Sequence, residues 1–289
     1  MIIFPPAKIN LGLNIVERRT DGYHNIETVF YPIPVTDALE IHSMSRDFPL
    51  DTSCSLKVTG TDELCDERKN LVFKAYELLA KDYALPRVFT HLHKGIPSQA
   101  GMGGGSSDAA CMIRLLNESF SLGLSVEQMR SYAARLGADC AFFVTADPLA
   151  PQPYYATGIG DCLQPFAAPW TALDGKWLVL VKPNVAVSTK EAYAGITPHR
   201  PKMTCKDALM MPMETWRDNL FNDFEESIFA KLPVLAEVKA SLYADGAVYA
   251  AMSGSGSTVY GIFDREPQTA KYNKAGYYCN SIRIPFQTK

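Results

Sequence analysis

The chain contains no cysteine pair at C-x-x-C spacing, no histidine beside a cysteine at metal-ligand spacing, and only five histidines in all. Its seven cysteines (Cys54, Cys65, Cys111, Cys140, Cys162, Cys205 and Cys279) are odd in number and dispersed, which reads as reduced thiols and excludes a disulfide framework and a zinc site. An excess of one charge is also missing. Lys+Arg 28 against Asp+Glu 31 leaves −3, which offers no footprint for non-specific nucleic-acid binding but leaves room for a local anion pocket. No apolar run approaches the ~18 residues of a membrane span, and Met1–Pro6 has neither a basic leader nor a signal-length apolar stretch. The expectation is a cytoplasmic protein with no structural metal. Three nucleotide signatures are absent as well: no Lys follows a glycine run in Walker A order, no G-x-G-x-x-G occurs, and no D-F-G or kinase catalytic loop is present.

What remains is an ordinary globular chain of 289 residues, 47% hydrophobic and 20% charged, long enough for one large domain or two at ~150 residues each. From Ala7 to Val16 apolar residues alternate with Lys8, Asn10, Gly12 and Asn14, the period-two pattern of a half-buried strand. Further strands are expected around Thr28–Ile33, Ala38–Ile41, Leu56–Thr59, Val88–His93, Trp177–Val181, Val248–Met252 and Val259–Phe263, with Ile282–Ile284 closing a sheet. Helices are expected over Asn70–Tyr83, Ser106–Glu118, Val126–Leu136 and Asp223–Leu242. Strands followed by helices favour α+β over a repeating βαβ sheet. The proline-rich Asp147–Pro153 and then Pro165–Gly175 are the candidate linkers.

The strongest chemical signal is Gly101-Met102-Gly103-Gly104-Gly105-Ser106-Ser107-Asp108, running directly into an apolar helix. Glycines allow close backbone approach, and a helix N-terminus presents free N–H groups and a positive dipole end to an anion. The two serines can cap the helix, bind phosphate oxygens or ligate Mg²⁺. A triphosphate is the natural guest; a flexible loop with a serine cap is the plainer alternative. Ser253-Gly254-Ser255-Gly256-Ser257, between two apolar strands, is either an anion-binding nest or a hairpin turn. Asp139, in Gly137-Ala138-Asp139, is a helix cap unless a cation such as Lys8 keeps it ionised for phosphoryl transfer. Lys8 alone reads equally as a solvated strand lysine. Tyr23-His24, after an Asp-Gly turn, combines a stacking ring with a side chain able to pair at a base edge.

Taken together these segments resemble the GHMP kinase superfamily of small-molecule kinases along nearly the whole chain. Pro6-Ala7-Lys8-Ile9-Asn10-Leu11, Ile96-Pro97 through Ala110, Gly137-Ala138-Asp139, Asn222-Asp223-Phe224-Glu225 and Met252 through Gly261 are similar to its motifs. Arg19-Thr20-Asp21-Gly22-Tyr23-His24 resembles the branch whose acceptor is a cytidine-diphosphate-linked methylerythritol of the non-mevalonate isoprenoid route. The resemblance implies a ribosomal-protein-S5-type N-terminal domain over 1–164 and a ferredoxin-like C-terminal domain over 165–289. It implies ATP and Mg²⁺, the nucleotide on Pro97, Gly101, Gly103, Gly104, Gly105, Ser106 and Ser107 with its adenine near Asn70 and Lys94, and Mg²⁺ via Ser106 or Ser107. It further implies Asp139 as general base assisted by Lys8. The acceptor would be held by Asn10, Tyr23, His24, Asp139, Tyr193 and the Ser253, Gly254, Ser255 and Gly256 turn, its cytosine stacked between Tyr23 and Tyr193 and paired with His24. No nucleic acid or membrane partner is implied. Two other functions are open to such a sequence: a GHMP kinase for mevalonate, phosphomevalonate or a sugar, and a non-catalytic nucleotide-binding module.

Overall fold

A computed structural model describes residues 1–45, 47–49, 51–61, 66–166 and 170–286. Cys65 and part of the second expected linker lie outside the described residues. In chain order the elements are β1 (Ile2–Ile3), β2 (Pro6–Arg18), β3 (His24–Thr36), β4 (Ala38–Ser43), β5 (Cys54–Thr59), α1 (Leu71–Ala80), β6 (Val88–His93), α2 (Gly104–Ser119), α3 (Val126–Ala134) and α4 (Cys140–Phe143). They continue with β7 (Tyr154–Thr157), β8 (Cys162–Pro165), β9 (Trp177–Lys182), α5 (Thr189–Ala194), α6 (Cys205–Leu209), α7 (Trp216–Asn219), α8 (Phe224–Lys231), α9 (Pro233–Ala244), β10 (Tyr249–Met252), β11 (Val259–Phe263), α10 (Ala270–Lys274) and β12 (Tyr278–Arg283). The class is α+β, as expected.

The chain divides into two compact units. The first comprises Met1–Ala7, Val35–Ser98 and Gly103–Ala146; the second comprises Lys8–Pro34, Gln99–Met102 and Asp147–Lys289. A cut at 164/165 therefore falls inside the second unit, within β8, whose residues pair antiparallel with β7 from Thr157↔Cys162 to Tyr154↔Pro165. The reason is the length of β2 and β3, 13 residues each. At roughly 3.3 Å per residue each strand spans about 43 Å, long enough for its two ends to belong to different units.

The first unit holds a sheet in the order β1-β4-β6-β5. It is antiparallel except for β5 and β6, which run parallel with Cys54 opposite Val88. Helix α1 packs on α2, and α2 in turn meets α3 and α4. Asn70, the expected first residue of α1, instead caps it, its side chain accepting from the Val72 N–H at 2.9 Å. Helix α2 begins at Gly104, two residues earlier than expected, because left-handed Gly103 (φ 72°) turns the chain into it.

In the second unit, the four-stranded β10-β11-β9-β12 sheet buries Val179, Val181, Ala250, Met252 and Val259 against Leu235, Val238 and Leu242 of α9. The other sheet there runs β2-β3-β7-β8. Two expectations are corrected. The single helix Asp223–Leu242 is broken at Leu232, whose extended backbone precedes Pro233 at the first position of α9. Strand β2 is not half-buried: Pro6 to Ile15 are buried on both faces, with Lys8 3%, Asn10 2% and Asn14 4% exposed. Short β7 and β8 flank the proline-rich stretches and carry no alternation long enough to read.

An aromatic cluster completes this unit. Trp216 is fully buried, stacked on Trp170 at 6.1 Å and edge-on to Tyr249 at 5.7 Å. Trp216→Ala is expected to cost about 3–5 kcal/mol through the cavity it leaves, read as a lowered urea midpoint; a loss under about 1 kcal/mol would mean the cluster is not a packed core.

Candidate active site

In the first unit the glycine turn, the α1 cap and the Asp139 turn are built around the start of α2. Gly103 to Ser107 close its first turn, the Ser107 N–H donating to Gly103 O at 2.9 Å. A Cβ on Gly105 would sit 3.9 Å from Leu71, which follows the capping Asn70. A Cβ on Gly137 would lie 3.3 Å from the Cys140 thiol and 3.9 Å from Ser106 Oγ. Burial pushes the Cys140 thiol up to about 11, eased by its hydrogen bond with Ser106. Asp139 stands half-buried at the N-cap of α4 and makes no side-chain cap bond there. The plain cap reading of Asp139 is thereby removed. Ser106 is half-exposed at the mouth of the turn, whereas Ser107 is fully buried.

Lys94 is held by two buried acids. Its ammonium, 11% exposed, bonds to the carboxylates of Asp37 and Asp108, which are 0% and 3% exposed. Pro97 is half-buried three residues further along.

In the second unit Lys8 is buried, not a solvated strand lysine. Its ammonium donates to Asn10 Oδ1 and to Gly101 O (3.2 Å), and lies over the Phe30 ring at 5.1 Å. Asn10 donates its amide to Thr28 Oγ1 at 2.9 Å and its backbone N–H to Ser253 Oγ at 3.2 Å. Its side-chain oxygen and amide therefore both face protein groups. Ser253 donates in turn to Gly101 O at 2.9 Å. The Ser253–Ser257 segment joins antiparallel β10 and β11, so the hairpin reading holds, yet it is no ordinary exposed turn. Ser253, Gly254 and Gly256 are buried, and Asn222 donates to both Met252 O (2.7 Å) and Gly254 O (2.8 Å). Only Ser255 is half-exposed, near Thr189 Oγ1 at 3.3 Å.

The aromatic residues also differ in arrangement from the expectation. His24 lies flat on Tyr193, ring centroids 4.7 Å apart and 17° between planes, while Tyr23 is 60% exposed. Tyr193 meets Phe224 edge-on at 4.9 Å. Burial, then the neighbouring Arg18 charge, lowers His24 below its ordinary 6.5. The same unit has a cleft of about 1020 Å³, reaching from Asn14 to the Asn222-Asp223 pair and lined also by His199 and Arg200.

Sequence reasoning missed Thr28, Asp37 and the anchoring role of Asn222. One signal was available for Asp108: an acid set in the otherwise apolar Ala109–Leu116 face of α2. Among the described residues no group of three or more His, Cys, Asp or Glu is placed to hold a metal ion.

The family description "GHMP kinases N terminal domain" matches residues 70–147, and "GHMP kinases C terminal" matches 209–280. A Bacteroides fragilis protein named 4-diphosphocytidyl-2-C-methyl-D-erythritol kinase is 50% identical over 282 residues, covering 96% of this chain and 98% of its own. Its Bacteroides thetaiotaomicron namesake is 51% identical over 266 residues, covering 92% and 93%. The chain belongs to the GHMP kinase family. A crystal structure of 4-(cytidine 5'-diphospho)-2C-methyl-D-erythritol kinase, 28% identical, aligns over 97% of this GHMP kinase and 98% of its own chain with a TM-score of 0.75. The two-domain α+β fold expected from the motifs is thus the fold present. Mevalonate kinase from Methanococcus jannaschii, 14% identical with a TM-score of 0.66 over 98% of both chains, shares the fold alone. No helix among the described residues is long and apolar enough to cross a membrane.

Two outcomes follow for this GHMP kinase. Gly101 has φ 71°, and a Cβ there would lie 1.9 Å from Ser253 O. Gly101→Ala is therefore expected to destabilise by about 2–4 kcal/mol in denaturant melts, and an unchanged melt would disprove the close approach. His24 should titrate by NMR with a midpoint below 6.5. Since the unfolded chain then binds the proton more readily, its contribution to stability is present above that pH and lost as pH falls through the window.

Proposed function

We propose that this chain phosphorylates the 2-hydroxyl of 4-diphosphocytidyl-2-C-methyl-D-erythritol with ATP as donor. The observation that carries the reading is 50% identity to a kinase of that name over 96% of the chain. It is supported by the aromatic pair at Tyr193 and His24 in the second unit and by the capped glycine turn in the first. A kinase for mevalonate or a sugar has no base to stack, and so no use for such a pair.

In this reading the N–H groups of Gly104 to Ser106 receive the phosphates, where the free end of α2 favours negative charge. Asn70, at the N-cap of α1 and beside Leu71, faces the adenine end. Asp139 takes the proton from the acceptor hydroxyl as that oxygen bonds the γ-phosphorus and the bond from the γ-phosphorus to the β-phosphate oxygen breaks, ADP leaving, and the cationic Lys8 lowers the cost of the charge that develops. Asn10 acts on Lys8, fixing its ammonium, more than on the acceptor. The cytosine uses the Tyr193 face, and His24 swings from that face to the base edge while Tyr23 closes from solvent.

Mg²⁺ fits the same turn. It takes one or two protein ligands plus phosphate oxygens, so a cage of carboxylates is not needed. The half-exposed hydroxyl of Ser106 at the turn's mouth suits it better than buried Ser107. When bound, Mg²⁺ neutralises charge on the transferring phosphates.

Asp139→Asn is expected to lower kcat at least ~10²-fold with ATP binding unchanged; near-normal turnover in ADP-release assays would remove Asp139 as the base. Tyr193→Ala should raise the acceptor KM by about tenfold, the loss of one stacked base at ~1–3 kcal/mol, and leave the ATP KM alone. ADP release driven by mevalonate or galactose, and not by the cytidylated alcohol, would refute the substrate.

A further inference from the structure

Beneath the glycine turn of the first unit lies a buried cluster of one cation and two acids that the transfer chemistry does not use. Lys94 reaches it from the end of β6, its own N–H donating to Thr59 O at 2.8 Å. Asp37, between β3 and β4, accepts from Lys94 Nζ on one oxygen. On the other it accepts from the Gly95 N–H at 2.6 Å and the Ile96 N–H at 2.8 Å. Asp108, one turn into α2, takes the second bond from Lys94 at 2.7 Å. Gly104 closes over the ammonium: a Cβ there would lie 3.3 Å from Lys94 Nζ and 3.1 Å from the Ile96 side chain. A single ammonium thus ties three separate stretches of chain, 37, 94–96 and 104–108, to one point under the turn.

Burial of this kind is costly unless the charges are matched and bonded, so the cluster has one low-energy arrangement. Burial first, then the Asp37 charge, push Asp108 well above the ordinary carboxylate range in spite of Lys94. Burial opposes the charge on Lys94, but Asp108 and Asp37 outweigh it and raise its pKa. Truncating a partner leaves a buried charge uncompensated and frees the turn.

We infer that Asp37 and Lys94 are positioning residues for the phosphoryl donor: Asp37 acts through Lys94, whose ammonium bonds Asp108 of α2, to hold the N–H groups at the start of α2 in their ligand-facing orientation, and that ammonium does not itself bind the nucleotide. The inference rests on the reading of Gly103–Ser107 as the phosphate turn. It differs from the sequence expectation, in which Lys94 meets the adenine end directly, and it gives Asp37 a role that no motif suggested.

A double-mutant cycle on the full-length protein separates the two. ATP binding is titrated calorimetrically for wild type, Asp37→Asn, Lys94→Met and the double variant, each with its thermal midpoint, and steady-state constants are taken for both substrates. Each single substitution is expected to weaken ATP binding by about tenfold or more, and the double variant to be no weaker than about twofold beyond the worse single one, since both break one interaction. The acceptor KM should stay within about twofold, a split that general loosening of the fold would not give. Losses that multiply, to about a hundredfold in the double variant, would show that Lys94 binds the donor independently and overturn the inference. So would unchanged ATP binding in a folded Asp37→Asn protein. If Asp37→Asn does not fold, Asp108→Leu, which removes the second acceptor of Lys94, takes its place in the same cycle: non-additive losses support the inference, and losses that multiply overturn it. Wild type that binds no ATP would instead refute the phosphate reading of the turn, and the inference with it.

Discussion

The ammonium of Lys8 is out of water on a strand that has no face toward water, and much of the second unit's site is the consequence. An ion of that kind must be met by acceptors or a π face within a few ångströms. Asn10 Oδ1, Gly101 O and the Phe30 ring provide them. Each acceptor is then itself fixed: Asn10 by Thr28, whose hydroxyl passes on to Gly12 O, and Gly101 by the Ser253 hydroxyl. Glycine at 101 follows from the same crowding, because the Ser253 carbonyl occupies the space a side chain needs. A buried charge has dictated which residues around it are amides, hydroxyls and glycines.

The first unit meets the same requirement with acids. Its cation, Lys94, is held between two carboxylates, one of which also accepts two backbone N–H groups. Both units therefore anchor a stretch of the glycine run with a buried lysine. Lys8 bonds Gly101 O from the side, and Lys94 lies directly under Gly104. The difference lies in the partners. Lys8 bonds an amide oxygen and a backbone carbonyl, whereas Lys94 bonds two carboxyl groups.

Much of this was legible in the residues. Alternation over Ala7–Val16, the glycine run into an apolar helix, and the β10–turn–β11 pattern all gave elements at the right places, because local propensity and tertiary demand agree there. The misses have physical causes. Period-two alternation marks two chemically different faces and cannot say that the polar face is also covered, which is why β2 read as half-buried. Leu232-Pro233 breaks a helix whose apolar periodicity continues across the break. The units interleave along the chain because β2 and β3 are long, a tertiary fact without a composition signature. The partners of Lys94 were not legible either. The two acids that claim it lie 57 and 14 residues away in sequence, a distance at which nothing local reveals a pair.

The stack of His24 on Tyr193 bears on how a substrate base is selected. A ring face left bare in water is a standing apolar surface, and any planar ligand can cover it. Covered by an imidazole, it admits only a ligand whose stacking and edge contacts exceed those it displaces, so weak planar competitors gain little. The covering group is suited to the part. Burial holds His24 below its ordinary pKa, so it is neutral at physiological pH, and a neutral imidazole keeps one nitrogen as donor and the other as acceptor. A cytosine edge presents an amino donor beside the acceptors N3 and O2, and a neutral imidazole that leaves the ring face can accept from the one or donate to the others without changing protonation. A charged imidazolium, with two donors, could not accept from the amino group. Under the proposed function, the same desolvation that makes His24 a good cover for Tyr193 thus gives it the tautomeric repertoire for reading a pyrimidine.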